Sequence, residues 1–279
     1  MHCIVLFSLL DKFQISLEMS RSHKRDKTIK YLNDTDYDSK EIKEVTNDIT
    51  IRNIMKEYDS IFMKHKWDIG KTDLVKHEII TNSKPIVINP RRQPYHLLKK
   101  IEENIKEMEQ NGIISKCESP WNSPLVCVKK REKDEIRICL DYRALDEITE
   151  RPIFPILNTE EMLDILQGAK YFTSLDLGNA FHQVELTEES KLKTAFSTKD
   201  AQYNFNRMPF GIAAAPATFQ KLMNQVLGPL NWKEAIVYLD DLLIFSSNIP
   251  EHYKRIKNVL KRIKESGLKI SPSKCNFLR

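Results

Sequence analysis

Glycine is scarce in this chain, with seven residues among 279. Phosphate-cradling loops need glycine where backbone closes on a pyrophosphate, and neither GxxxxGK nor GxGxxG occurs. Gly-rich nucleotide loops are therefore not expected. The five cysteines (Cys3, Cys117, Cys127, Cys139, Cys275) are odd in number, scattered, and form no CxxC pair. They indicate neither a disulfide framework nor a zinc site and fit a reducing compartment. No apolar run approaches the roughly 20 residues of a membrane span. "IVLFSLL" near the start lacks a basic n-region and a small-residue cleavage site, so secretion is not expected. Nor is there a strong surplus of charge: a net +5 favours a polyanionic partner only weakly.

What is present is the composition of a globular protein, 41% hydrophobic and 30% charged, with enough chain for one large or two modest domains. Residues 1–70 are polar and charge-mixed and read as a flexible or weakly structured extension. Within them, "TNDITIRNIMKEYDSIF" spaces Ile51, Ile54, Met55, Tyr58 and Phe62 for a short helix. Further on, "LLKKIEENIKEMEQNG" places Leu98, Ile101, Ile105 and Met108 on one helical face, with Gly112 as its stop. "PLVCV" and "EIRIC" read as strands around a charged "KKREKD". A helix opens at Thr159 and stops at Gly168. Strands are expected at "KYFTSLD", "FHQVEL" and "KTAFST", and a helix at "APATFQKLMNQVLGP". A last helix, "EHYKRIKNVLKRIKESG", buries Tyr253, Ile256, Val259, Leu260 and Ile263 beneath a basic face. Strands and helices interleaved irregularly indicate α+β.

The stretch "AIVYLDDLLIFSS" sets Asp240 and Asp241 between two apolar runs that suit a hairpin. Two carboxylates about 4 Å apart repel by roughly 4 kcal/mol at an effective dielectric of 20. Asp176 ends another apolar strand 64 positions before Asp240. If that strand pairs with the hairpin, at about 4.8 Å spacing, three carboxylates converge. Divalent cations would offset the repulsion, and hard oxygen ligands favour Mg²⁺ over zinc. Any one of these aspartates alone also suits an ordinary turn.

Ten segments in order resemble the catalytic core of reverse transcriptases, most closely those of gypsy-type LTR retrotransposons. They are "TDLVKHEI", "NGIISKCESPWNSPLVCVKK", "RICLDYRALDEIT", "GAKYFTSLDL", "FHQVEL", "KTAF", "MPFGI", "APATFQKLMNQVL", "VYLDDLLIFS" and "GLKISPSKC". The resemblance implies fingers and palm of a right-hand polymerase, the palm a ferredoxin-like antiparallel sheet packed on helices. Fingers would be 71–150 and 183–211, palm 151–182 and 212–279. The implied activity is RNA-directed DNA polymerisation by two-metal-ion nucleotidyl transfer from a dNTP to a primer 3′-OH.

Asp176, Asp240 and Asp241 would hold two Mg²⁺ ions, with Mn²⁺ as a substitute. Lys130 and Arg137 match residues that hold the triphosphate, and Phe181 the ring beneath the sugar. Phe210 and Gly211 match the loop lining nucleotide and template. Tyr238 would sit beside the primer end and Trp121 near the template or in packing. Gln183 and Lys274 complete the implied set, Lys274 as a proton donor.

Ala214 stands where the family usually shows Asn, and Ala180 where this branch shows Gly. The resemblance stops at "KCNFLR", so the thumb, RNase H and integrase are not expected, and the lack of Asp-Thr-Gly or Asp-Ser-Gly argues against a protease. Implied partners are an RNA or DNA template with primer and dNTPs, acting in a cytoplasmic particle or the nucleus and without a membrane. The competing reading is a catalytically inactive or domesticated remnant that binds nucleic acid. A metal-dependent nuclease lacks a further carboxylate or histidine cluster.

Overall fold

The computed structural model describes residues 48–129, 136–150, 159–238 and 241–278. In chain order they form α1 (Ile49–Glu57), β1 (Thr72–His77), α2 (Leu98–Gln110), β2 (Ile114–Lys116), β3 (Leu125–Lys129) and β4 (Ile136–Leu140). Then come α3 (Arg143–Ile148), α4 (Thr159–Ile165), β5 (Tyr171–Asp176), β6 (Val184–Leu186), α5 (Glu188–Lys193), β7 (Phe196–Ser197) and β8 (Gln202–Phe205). The chain continues through α6 (Ala215–Leu227), β9 (Ala235–Tyr238), β10 (Asp241–Ser246) and α7 (Ile249–Glu265). The chain divides into two compact units. Unit one comprises Met1–Gly70, Pro155–Gly178 and Met223–Arg279; unit two comprises Lys71–Phe154 and Asn179–Leu222.

Unit one is built on an antiparallel sheet with strand order β5-β10-β9. Every residue of the central strand β10 is buried, as expected of a strand covered on both faces. Ile236, Leu243 and Phe245 of the sheet form one apolar cluster with Met162 and Leu166 of the α4 region. Helix α7 packs on β10 through Ile256, Val259, Leu260 and Ile263. Its start is capped by Asn248, whose side chain accepts from the Glu251 amide at 3.0 Å.

The fifth buried position of α7 is His252, not Tyr253 as the periodicity predicts. The His252 ring hydrogen-bonds Thr173 Oγ1 of β5 through Nε2 at 2.8 Å and Ser246 Oγ of β10 through Nδ1 at 2.9 Å. Two hydroxyls satisfy the imidazole, which makes its burial tolerable. Tyr253 instead reaches sideways and donates its hydroxyl to Asp48 Oδ2 at 2.7 Å.

Residues 48–70, which composition groups with the polar extension, are packed. Asp48 caps α1 by accepting from the amides of Thr50 and Ile51 at 2.8 and 3.0 Å. Ile51, Ile54 and Met55 are buried, and Glu57 pairs with Lys257 of α7 at 2.9 Å. Beyond α1, Met63 N donates to Ile270 O and Ile270 N to Ile61 O. The apolar face of α1 and this short pairing exist only through partners some 200 residues away. Composition in a local window does not register them.

Unit two carries a β2-β8-β7 antiparallel sheet, the β3–β4 antiparallel pair, and β1 with β6 in parallel. Helix α2 turns Ile101, Ile105 and Met108 inward, and Gly112 follows it at φ 68°, a left-handed position that suits glycine. The strand expected over "FHQVEL" is short. Ala180–Gln183 form a 3₁₀ turn after Asn179, itself at φ 49°, and only Val184–Leu186 are extended. Likewise "KTAFST" yields just Phe196–Ser197, because α5 ends immediately before it. The parallel β1–β6 pair is the one departure from antiparallel pairing among the described sheets.

Candidate active site

The β5–β10 register decides where the carboxylates meet. Asp241 is directly opposite Asp176, Leu242 opposite Leu175, and so on to Ser246 opposite Tyr171. Directly opposed residues project to the same face with Cβ atoms roughly 4.5–5.5 Å apart. The two carboxylates therefore share one face at the end of the sheet. On the other side Asp241 is paired with Tyr238 of β9. Asp241 is only 6% exposed. Two acidic groups held this close and this dry need positive charge nearby. Lys274 Nζ supplies some of it, 3.9 Å from Asp176 Oδ1.

The surrounding backbone makes this end of β5 rigid. Ser271 N donates to Asp176 O at 2.9 Å, and Ser174 exchanges two hydrogen bonds with Asn276. Ser271 follows Ile270, which is bonded to residues 61 and 63, so residues 61–63, 270–276 and β5 form one hydrogen-bonded layer. Gly178 fits against it for want of a side chain: a Cβ there would stand 2.0 Å from Met63 Sδ and 3.3 Å from Ser271 Cβ. Neither Met63 nor Gly178 stands out in the sequence, since their partnership spans 115 positions.

In unit two, Phe181 and Phe210 pack at 5.2 Å between ring centroids. Phe181 also meets Phe219 edge-on at 5.8 Å. Phe210 is 45% exposed, a large apolar ring left partly in solvent. His182 holds it from beneath, edge-on at 5.0 Å, while stacking on Phe205. His182 Nδ1 lies 3.1 Å from Met208 O, so it carries the proton and donates. Burial lowers the His182 pKa to about 4, so the ring stays neutral. Sequence reasoning passed over His182; its only signal is its place beside Phe181. Gly211 has φ 97°, a backbone conformation that a side chain would strain even though the space nearby is open enough for one.

The remaining candidates divide plainly. Gln183 is fully buried, and Trp121 is 7% exposed with its carbonyl accepting from Gln202 Nε2 at 2.9 Å. Arg137 pairs with Val128 in the β3–β4 ladder. Lys130 and Asp240 lie outside the described residues. A second charged cluster was not anticipated: Asp141 accepts from Arg143 Nε at 2.8 Å and Nη2 at 2.7 Å, and from Arg91 Nη2 at 2.8 Å. The Arg143 hydrogen bond is the main reason that the Asp141 pKa falls to about 2. Among the described residues no group of three or more His, Cys, Asp or Glu is arranged to hold a metal ion. The described part of the acidic site is the pair Asp176 and Asp241.

The chain is 38% identical over 236 residues to the Retrovirus-related Pol polyprotein from transposon 297 of Drosophila melanogaster, covering 82% of this chain and 22% of that one. It is 35% identical over 184 residues to the corresponding polyprotein from transposon gypsy of the same organism, covering 64% and 18%. The chain thus spans about a fifth of the length of the curated relatives it matches. The foamy viral protease-reverse transcriptase, solved in complex with an RNA/DNA hybrid, superposes with a TM-score of 0.80 at 23% identity, covering 92% of this chain and 35% of that one. That likeness establishes the fold, an α+β polymerase fingers and palm. Residues 128–279, more than half of the chain, match the family described as reverse transcriptase (RNA-dependent DNA polymerase), and the chain belongs to that family.

Proposed function

We propose that the chain carries the fingers and palm of an RNA-directed DNA polymerase that joins deoxynucleotides to a primer 3′-OH on a nucleic-acid template. The observation that carries this reading is the register that sets Asp176 opposite Asp241. In this assignment the palm is 151–182 with 212–279, and the fingers are 71–150 with 183–211.

Reverse transcriptases use divalent metal ions. The residues fit such ions: two carboxylates share one face, one of them buried, and the Lys274 ammonium stands as far as 3.9 Å from Asp176. We assign Asp176 and Asp241, with Asp240, as ligands of two Mg²⁺ ions, for which Mn²⁺ would substitute. When bound, the ions would neutralise the carboxylates, activate the primer oxygen and steady the pyrophosphate.

The chain's own residues do the rest. Lys274 would hold on Nζ the proton given to the departing pyrophosphate. Lys130 and Arg137 would bind the triphosphate by charge. Phe181 would exclude a ribose 2′-OH by its bulk, with Phe210 and Gly211 lining nucleotide and template and Tyr238 beside the primer. The burial of Gln183 and Trp121 favours packing for both. Base pairing would carry the sequence information, so the protein needs only to hold backbone phosphates.

Primer extension on an RNA template with the whole chain tests the reading. Asp176→Asn and Asp241→Asn should each lower first-nucleotide addition by about a hundredfold or more. Template binding and far-UV circular dichroism should stay as in the parent. Undiminished addition by either variant would defeat the assignment, and template binding without any addition by the parent would favour a nucleic-acid binder.

A further inference from the structure

Ala213 is exposed, yet its amide has a fixed acceptor, Asp146 Oδ1 at 2.9 Å, from 67 positions away in the chain. The bond holds one end of the segment that carries Phe210. The other end is held at Met208, whose amide donates to Val184 O at 2.8 Å and whose carbonyl accepts from His182 Nδ1 at 3.1 Å. Phe210 and Gly211 stand between the two holds, both exposed. Gly211 lies beside the junction of β4 and α3, where a Cβ would stand 3.5 Å from Leu140 O and 3.8 Å from Tyr142 Cδ2.

Asp146 is firmly mounted on that same junction. Its amide donates to Tyr142 O at 2.7 Å, and the buried Tyr142 donates its hydroxyl to Thr194 O at 3.1 Å. Ala214, beside the bonded amide, brings no polar side chain, so a side-chain hold on this end has to come from elsewhere in the chain. A carboxylate accepting from a backbone N–H makes a stronger bond than a neutral acceptor. An acidic residue in the first turn of α3 also suits the helix dipole. That second role needs the charge, whereas the hydrogen bond needs only an oxygen.

We propose that Asp146 is a positioning residue that presets the Phe210 segment for nucleotide and template, acting through the Ala213 amide. The inference rests on the reading that Phe210 and Gly211 line nucleotide and template. A segment already ordered loses less conformational freedom on binding, so the hold is expressed in affinity more than in the chemical step.

Steady-state addition of one nucleotide by the full chain tests it, together with amide hydrogen exchange over residues 209–214. Asp146→Ala should raise the KM for dNTP about three- to tenfold, the scale of one hydrogen bond, with kcat within about twofold. Asp146→Asn keeps an oxygen for the Ala213 amide and should recover most of that loss. A helix-dipole role alone would leave the Asn variant as impaired as the Ala variant. Phe210→Ala should also raise KM, and adding Asp146→Ala to it should raise KM little further. Exchange at Ala213 should quicken in Asp146→Ala but not in Asp146→Asn, a readout that needs no catalysis. If Phe210→Ala raises KM and Asp146→Ala does not, the positioning role is overturned while the polymerase reading stands. No addition by the parent, or a KM that Phe210→Ala leaves unchanged, removes the role given to Phe210 and this inference with it. Unchanged exchange at Ala213 in Asp146→Ala overturns the inference by itself.

Discussion

His77, His182 and His252 are each buried, and burial pulls each imidazole down to about 4 from an ordinary 6.5, with Arg255 adding to the effect at His252. Each is neutral in the fold: His77 bonds Thr218 Oγ1 at 2.8 Å, His182 donates to a carbonyl, and His252 lies between two hydroxyls. In the unfolded chain each would take up a proton below about pH 6.5. The unfolded state therefore binds more protons between pH 6.5 and 4, and stability falls as pH falls through that window. A shift of this size is linked to about 3 kcal/mol per group at most. Urea unfolding at pH 7 and pH 5 reads the effect directly. The midpoint should drop on acidification, and His252→Gln, which removes one titrating ring, should flatten the drop. An unchanged slope in that variant would mean that His252 does not titrate as its burial demands.

At the level of elements, the layer formed by residues 61–63, 270–276 and β5 holds Asp176, and Gly178 is its tightest point. Gly178 has an ordinary negative φ, so its glycine is there for space and not for conformation. Gly178→Ala drives a methyl into the buried Met63, an overpacking worth about 1–3 kcal/mol. Met63→Ala alone leaves a hole, costing about 2–5 kcal/mol. The double variant fills part of that hole with the new methyl, so its loss should be smaller than the two losses together by about 1 kcal/mol or more. Additive losses in denaturant titration would show that the two residues do not touch in solution.

None of this layer was legible in the sequence, although its neighbours were. The hairpin was, because apolar runs on both sides of Asp240 and Asp241 leave few alternatives. So was α2, whose apolar stripe has one period throughout. The partner of Asp176 could be argued from chemistry, since a meeting of carboxylates accounts for all three aspartates at once where a turn accounts for each only singly. By contrast, Met63 and Gly178, Asp48 and Tyr253, and Phe181 and His182 as props for Phe210 depend on long-range closure or on a 3₁₀ turn that breaks the strand pattern. Local periodicity carries no trace of such contacts.

For the whole molecule, a net charge of +5 is modest, so affinity for a polyanion would have to come from where cations are placed. The fork at Asp141 is such a placement. It fixes the guanidiniums of Arg91 and Arg143, whose side chains are 53% and 80% exposed, against one carboxylate. Exposed ion pairs of this kind contribute little stability, yet a guanidinium held in one orientation keeps its remaining N–H groups ready for phosphate. If the chain binds a template-primer duplex as proposed, the logarithm of its binding constant should fall linearly with the logarithm of salt concentration. Arg143→Ala should then reduce the steepness of that line by about one unit, the share of one phosphate contact, and weaken binding alike for unrelated sequences. Asp141→Asn keeps both arginines but loosens their hold, so it should weaken binding while leaving the slope nearly unchanged. Filter binding at several salt concentrations separates these outcomes. A slope that Arg143→Ala leaves intact would remove the fork from the nucleic-acid surface.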